Sequence, residues 1–149
     1  MLETGLLVFV AIASALMGGI YFAFSGFIMK SLSTMSTESA VDCMNSINRE
    51  IVNSFFLPLF FLSTMVCATL VFVSEDVSVK AGALTYIVGM FVCTVVKNVP
   101  LNNRLEATTD RDREDTWAYY LSSWTRWNHV RTVSCIVASL VLFYALTQR

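Results

Sequence analysis

The chain has 149 residues, of which 56% are hydrophobic and only 14% charged, and its formal net charge is −1. Charged residues make up about one quarter of an ordinary soluble domain, so this composition predicts a protein whose main solvent is lipid. Because acidic and basic residues nearly balance, the overall charge argues against nucleic acid as a partner.

Four uncharged stretches define the predicted elements: Thr4 to Met29, Ile51 to Ser74, Ala81 to Val96 and Thr132 to Gln148. A membrane-spanning helix needs about 20 apolar residues, which the first two stretches supply. The last two reach that length by including Lys97 with Asn98, and His129 with Arg131. Their patterns lack the alternation of barrel strands, so we predict an all-α fold, an integral membrane four-helix bundle. It forms a single domain with spans at about 5–29, 51–74, 81–98 and 129–148.

The first stretch is longer than the apolar core of a signal peptide, and a cleaved leader is the alternative interpretation. Within it, Ala11, Ala15, Gly19 and Ala23 recur every four residues. Small residues at this spacing allow helices to approach closely in lipid. The ladder therefore predicts packing within the bundle, and an interface between copies of the chain is the other interpretation.

Helices 2 and 4 are predicted to extend beyond the membrane on one face. From Glu38 to Ile51 apolar side chains recur at helical spacing, after a cap at Ser36 or Thr37, and this stretch runs directly into the second span. The segment from Asp112 to Arg149 contains neither Gly nor Pro and is predicted as one long helix.

Two prolines interrupt the remaining pattern. Pro58 inside the second span predicts a kink, and Pro100 just after the third span predicts a helix end. The polar segment between Asn102 and Arg113 is predicted as an exposed connection. The loop after the first span and the whole connection between the third and fourth spans carry eight of the ten Lys and Arg residues, so the positive-inside rule places both termini on the non-cytoplasmic side.

The chemistry of a metal or haem site is not indicated. The four cysteines, Cys43, Cys67, Cys93 and Cys135, lie too far apart in sequence to form a short metal-ligand pair. The chain has one histidine, His129, which excludes a haem held by two histidines of this chain. We therefore predict no cofactor.

The predicted topology brings the unusual polar residues to one membrane face. They lie at the helix ends that meet there: Asn48, Arg49 and Asn53; Lys97, Asn98 and Asn102; and Trp124, Arg126, Trp127, Asn128, His129 and Arg131. Ionisable residues at membrane depth are expensive, so their clustering predicts a functional site. Two structural interpretations compete with this hypothesis. The aromatic and basic residues also suit an interfacial belt, and the asparagines also suit a network that joins helix ends.

Four stretches resemble the anthrone-oxygenase-like (DUF1772) family of small membrane proteins: GGIYFAFSG at 18–26, Asn48-Arg49 through Asn53, NVPLN at 98–102 and WTRWNHVRT at 124–132. The last two, in this order and separation, are the more specific. Some relatives oxidise anthrones to anthraquinones with molecular oxygen and without a metal or organic cofactor. The resemblance therefore implies His129 as the base, with Asn98, Trp127 and Asn128 in the pocket and Arg131 as an anion stabiliser. Lys97 departs from the family pattern and adds a second cation.

Two hypotheses follow. The first is an oxygenase acting on a flat, enolisable, apolar molecule, with His129, Asn98 and Arg131 as catalytic residues. Its substrate-binding residues are Asn48, Arg49, Asn53, Lys97, Asn102, Trp124, Trp127 and Asn128. The second is a non-enzymatic membrane module that binds a lipid or quinone or assists membrane-protein assembly. The expected partners are membrane lipid, a flat aromatic or quinone-like molecule and O2, with homo-oligomers left open. A cavity that contains His129 and Asn98 and opens towards lipid is the geometry expected of the enzyme.

Overall fold

The computed structural model describes residues 1–149, which fold into five helices joined by short links. They are α1 (Leu2–Leu32), α2 (Thr37–Val52), α3 (Phe56–Val73), α4 (Val77–Glu106) and α5 (Arg113–Thr147). All of them except α2 are long and apolar enough to cross a membrane. The prediction of an all-α membrane four-helix bundle is confirmed, and the long fourth span is a single helix that begins well before its apolar part.

Helix α5 is the centre of the bundle, since it packs along α1 and α4 for most of their length. The buried side chains of the membrane-spanning half are almost all apolar, among them Leu7, Leu70 and Leu142. Two of the polar side chains there are paired across helices: Ser63 Oγ lies 2.8 Å from Tyr86 Oη, and Ser139 Oγ donates to the carbonyl of Ala11 at 3.1 Å. Ser14 Oγ is buried without a partner. The two pairs follow the tendency of polar groups in lipid to find partners inside the protein.

The small-residue ladder of α1 is not the surface that packs against α5. Ala11 is buried, but Ala15 and Gly19 are exposed. A repeat of four residues advances by about 40° per step around an α-helix, so the ladder turns away from the interior. The close approach occurs instead at Gly18, where an added β-carbon would lie 3.2 Å from Cys135 Cβ. The expectation of bundle packing along the whole ladder is therefore wrong.

Helix α2 is amphipathic, as its sequence predicts, and packs its apolar side under the ends of the other helices. Ser36 caps it, with Ser36 Oγ accepting from the backbone N–H of Ser39 at 3.3 Å. Its side chains Val41 and Met44 lie in a second core with Leu105 and Trp117. This second core joins the membrane half to the protruding part of α5.

The continuous helix expected through α2 into the second span is interrupted. Residues 53–55 separate α2 from α3, and Ser54 Oγ accepts from the backbone N–H of Phe56 at 3.2 Å. Pro58 then falls in the first turn of α3, where its missing N–H breaks no helical hydrogen bond. The kink expected at Pro58 is thus replaced by a helix start.

Pro100 does not end α4, which continues to Glu106. Two π-helical segments of α4 lie before Pro100, Ile87–Val92 and then Thr94–Asn98. A π-turn widens the backbone and removes the clash that a proline ring makes with the carbonyl four residues earlier. The predicted exposed connection therefore shortens to residues 107–112.

Gly89 allows the close contact between α4 and α5. A β-carbon at this position would overlap Cβ and Oγ of Ser134. We expect Gly89→Ala to lower the free energy of unfolding by about 1–3 kcal/mol, because no rotamer of Ser134 moves its Cβ. The measurement is unfolding of the purified protein in detergent.

Gly19→Ala is the matched control, since a β-carbon at Gly19 meets nothing within 4 Å. In a protein that already carries Ser134→Gly, the added change Gly89→Ala should lower the free energy of unfolding much less than it does in the wild type. Equal stabilities for Gly89→Ala and Gly19→Ala contradict this account of the contact.

Candidate functional site

A cavity of about 210 Å³ lies where the five helices meet at one end of the bundle, and every helix contributes to its wall. Of its 18 lining residues 14 are hydrophobic, and the others are Asn48, Thr94, Asn102 and Arg131. A cavity of about 150 Å³ is large enough to hold benzene. This one therefore has room for a molecule larger than a single aromatic ring.

The cavity opens between α3 and α4 on the side that faces lipid. Helix α3 packs against the first half of α4 and separates from it beyond Val92. At the resulting gap Phe61 and Val95 are 50% and 48% exposed, and both line the cavity. The exposed rim of the cavity at this gap is therefore apolar.

Arg131 is the charged residue of this cavity. Its side chain is only 4% exposed, and no acidic residue pairs with it. The guanidinium carbon lies 4.3 Å from the ring centroid of Tyr21 and 4.9 Å from that of Trp124, so the cation is held between two aromatic faces. A buried charge normally has an ionic partner. The cavity therefore carries a positive charge that the protein itself does not neutralise.

The hydrogen bonds of Arg131 fix its position without satisfying it. Nη2 donates to Asn128 Oδ1 at 2.8 Å, and Nη1 lies 3.4 Å from Thr94 Oγ1. Nε has no partner, and neither do Tyr21 Oη and Asn48 Nδ2, which belong to two other lining residues. All three groups can donate a hydrogen bond. Three donors of the lining residues are therefore buried without an acceptor in the protein, and this chemistry suits a ligand oxygen that is negatively charged or becomes so.

Two of the predicted asparagines hold helices together instead of facing the cavity. Asn128 Nδ2 donates to the carbonyl of Tyr21 at 2.8 Å and to Ser25 Oγ at 2.7 Å. Asn98 is 1% exposed, and its Nδ2 donates to the carbonyl of Trp124 at 3.3 Å. The helix-joining interpretation therefore describes these two, and Asn128 also positions Arg131.

Asn102 does line the cavity, and it orients aromatic side chains. Its Oδ1 accepts from Tyr120 Oη and from Trp124 Nε1, both at 2.9 Å. Trp124 in turn contacts the Arg131 guanidinium and the ring of Phe24. An amide on α4 thus sets the orientation of the indole that stacks on the cation.

His129 is not part of this cavity. It is exposed and lies in a separate groove between α1 and α5, together with Lys30 and Arg126. The inner face of α5 buries Trp124, Asn128 and Arg131. Each residue turns the helix by about 100°, so His129, two positions before Arg131, points outward. The expectation that one cavity contains both His129 and Asn98 is wrong, since neither lines it.

Four further predicted binding residues also lie outside the cavity. Arg49 forms an exposed salt bridge with Glu106 at 3.0 Å, which links α2 to α4. Asn53 Nδ2 donates to the carbonyl of Arg49 at 3.0 Å. Trp127 lies in a third groove, where Lys97 Nζ is 4.8 Å from its ring centroid. Of the predicted residues, the cavity therefore gathers Asn48, Asn102, Trp124 and Arg131.

Sequence reasoning missed Tyr21 and Thr94 as wall residues of the cavity. Tyr21 is 2% exposed and stacks on Arg131, yet a tyrosine within an apolar run carries no distinguishing signal. The four cysteines are free, and no group of three or more His, Cys, Asp or Glu side chains is placed to hold a metal ion.

The fold and the cavity define a class of protein: a helical membrane protein that encloses a buried, unpaired cation in an apolar pocket open to lipid. Within that class, the family model for anthrone oxygenase matches residues 44–141, well over half of the chain. The chain therefore belongs to the anthrone oxygenase family. Comparisons with curated proteins and with solved structures found no match.

The unpaired charge generates a prediction about stability. We expect Arg131→Met to raise the free energy of unfolding by about 1–3 kcal/mol, because it removes a desolvated charge that no acid neutralises. The lost hydrogen bond to Asn128 offsets only part of this gain. Thermal unfolding in detergent measures the change.

Arg111→Met is the control for loss of charge alone, since Arg111 is exposed and forms no ion pair. Its expected effect is within about 0.5 kcal/mol. A clear loss of stability in Arg131→Met shows that the guanidinium is a structural requirement and contradicts the prediction.

Proposed function

We propose that the protein is an oxygenase that uses O2 to oxidise a flat, enolisable, apolar molecule bound in the cavity. The observation that carries this proposal is the buried Arg131 guanidinium, which has no acidic partner and lies in an apolar cavity open to lipid. Membership of the anthrone oxygenase family supports the reaction class. The substrate partitions into lipid and enters between α3 and α4.

The proposed chemistry begins with loss of a proton from a CH2 group that is conjugated with a carbonyl group through the aromatic rings, which leaves an enolate. We assign stabilisation of its negatively charged oxygen to Arg131, Tyr21 and Asn48, whose donors Nε, Oη and Nδ2 have no acceptor in the protein. Preorganised donors in a site that excludes water stabilise such an oxyanion strongly. The aromatic faces of the wall pack against a flat ring system.

The oxidation step balances without a further electron source. The enolate carbon gives its electrons to O2, and a carbon–oxygen bond forms to give a hydroperoxide. The O–O bond then breaks as the remaining C–H proton leaves, which produces a new carbonyl group and one molecule of water. Overall, a CH2 group and O2 become a C=O group and water.

His129 as the base is a prediction that rests on the family resemblance. In the structure it lies in the groove between α1 and α5, and Ser25 and Asn128 belong to the wall between that groove and the cavity. We therefore assign stabilisation of the enolate to the cavity, and His129 remains the predicted base.

The test measures oxygen consumption by the purified protein with a panel of anthrones. We expect Arg131→Met to lower kcat by about 100-fold or more, because loss of one oxyanion donor has that effect in other enzymes. Arg131→Lys keeps the charge but loses the planar fork, so its activity should lie between those of the wild type and Arg131→Met. Arg111→Met should match the wild type.

If Arg131→Met has the same activity as the wild type, the proposed role of the cation is wrong. His129→Ala, measured beside it, tests the base. A loss comparable to that of Arg131→Met supports proton removal through His129, whereas an unchanged rate removes His129 from the mechanism and leaves the role of Arg131 intact.

Binding of a lipid or quinone without turnover is the second candidate function. One observation favours it: no carboxylate and no imidazole lines the cavity, so no ordinary base touches a bound molecule. Trp124 lies in the wall and its fluorescence reports occupancy. Two results together support this function: a quinone quenches the tryptophan fluorescence of the wild type but not of Arg131→Met, and no anthrone causes oxygen consumption.

We further infer that both termini face the non-cytoplasmic side, which places the cavity end of the bundle at the cytoplasmic face. The excess of Lys and Arg near that end supports the orientation. A reporter that is active only outside the cytoplasm, fused after Arg149, should be active, and the same reporter inserted at residues 107–109 should be silent. The reverse pattern overturns the orientation.

A further inference from the structure

The groove that contains His129 is a second polar site on the outside of the bundle. Nine residues of α1 and α5 line it, and only two of them are hydrophobic. Lys30 comes from α1, and Arg126 and His129 come from α5. Two separate helices thus bring three nitrogen-bearing side chains to one concave surface.

This groove contains no carboxylate. None of its lining residues is acidic, and neither Lys30 nor Arg126 forms an ion pair. Arg126 also lines the neighbouring groove with Lys97 and Arg104, which has no acidic residue either. The chain contains 11 Asp and Glu residues, so their absence from both grooves leaves a positively charged surface.

The position of the groove relative to the membrane points to a lipid. Lys30 follows the apolar run of α1, and Arg126 and His129 precede the apolar run of α5, so the groove lies at the level of the headgroups. One turn deeper on the same two helices, Phe22 and Val133 are 59% and 60% exposed. Cations at headgroup level above an exposed apolar surface match a molecule with a charged head and an apolar chain.

The donors of the groove suit a phosphate. Lysine and arginine supply charged donors, and Ser122 and Thr125 of α5 add hydroxyl groups to the lining. Thr125 Oγ1 is buried and has no hydrogen-bond partner. Charge-assisted hydrogen bonds from such groups are the usual means by which proteins hold a phosphate oxygen.

We propose that the groove between α1 and α5 binds the phosphate of an anionic phospholipid, whose acyl chains lie along the apolar surface next to Phe22 and Val133. Lys30 and Arg126 carry the charge, and His129 and Thr125 add hydrogen bonds. This site is distinct from the Arg131 cavity and does not depend on the oxygenase proposal.

The experiment measures the melting temperature of the full chain in neutral detergent during titration with phosphatidylglycerol, phosphatidylcholine or inorganic phosphate. We expect phosphatidylglycerol to raise the melting temperature in a saturable way and the other two to have little effect. A basic residue at a membrane surface contributes about a fivefold change in binding to anionic lipid. The double variant Lys30→Gln with Arg126→Gln should therefore raise the half-saturating lipid concentration about 25-fold.

Arg111→Gln is the matched control, since it removes an exposed charge from the same end of the bundle outside the groove. It should change the half-saturating concentration by less than about twofold, because screening weakens an exposed charge at a distance. The single variant Arg126→Gln, which removes one charge from the groove, should raise that concentration about fivefold. An equal loss in Arg111→Gln and Arg126→Gln means that attraction is general to this face and overturns the site. Equal stabilisation by phosphatidylcholine, or full stabilisation by inorganic phosphate, also overturns it.

Discussion

The absence of an acidic partner for Arg131 is the constraint around which this end of the bundle is built. A guanidinium that is 4% exposed must obtain favourable contacts from neutral groups. Tyr21 from α1 and Trp124 from α5 provide aromatic faces, and Asn128 provides a carbonyl oxygen. These contacts are enough to hold the cation in place, but they leave its charge available to a bound molecule.

The space beside that cation depends on irregular backbone. The break at residues 53–55 lets α2 lie across the bundle end instead of continuing α3, and the π-turns of α4 carry that helix past Pro100 to Asn102. Residues beside these irregular segments, Val52, Phe56 and Asn102, line the cavity. The prolines therefore shape the cavity by deciding where α3 begins and where α4 must widen.

Much of the fold was predictable, because uncharged runs report membrane spans directly. The face on which the polar residues meet also followed from topology. The side of the helix on which each polar residue lies did not follow from topology. Neighbouring residues of α5 such as Asn128 and His129 point in directions about 100° apart, so one faces the interior and the other does not. The sequence could not separate Asn98, which joins helices, from Asn102, which lines the cavity, because their amides differ only in surroundings.

Helix α5 carries two arginines five residues apart whose surroundings give them different physical roles. At 4 Å a charge pair is worth about 1 kcal/mol in water and about 4 kcal/mol at an effective dielectric constant of 20. Arg131 is buried and Arg126 is exposed, so an anion of similar geometry gains more at Arg131. The stronger interaction at Arg131 suits the stabilisation of a charge that develops during a reaction. The weaker interaction at Arg126 suits reversible contact with a lipid headgroup, because the bound lipid must exchange with the surrounding membrane.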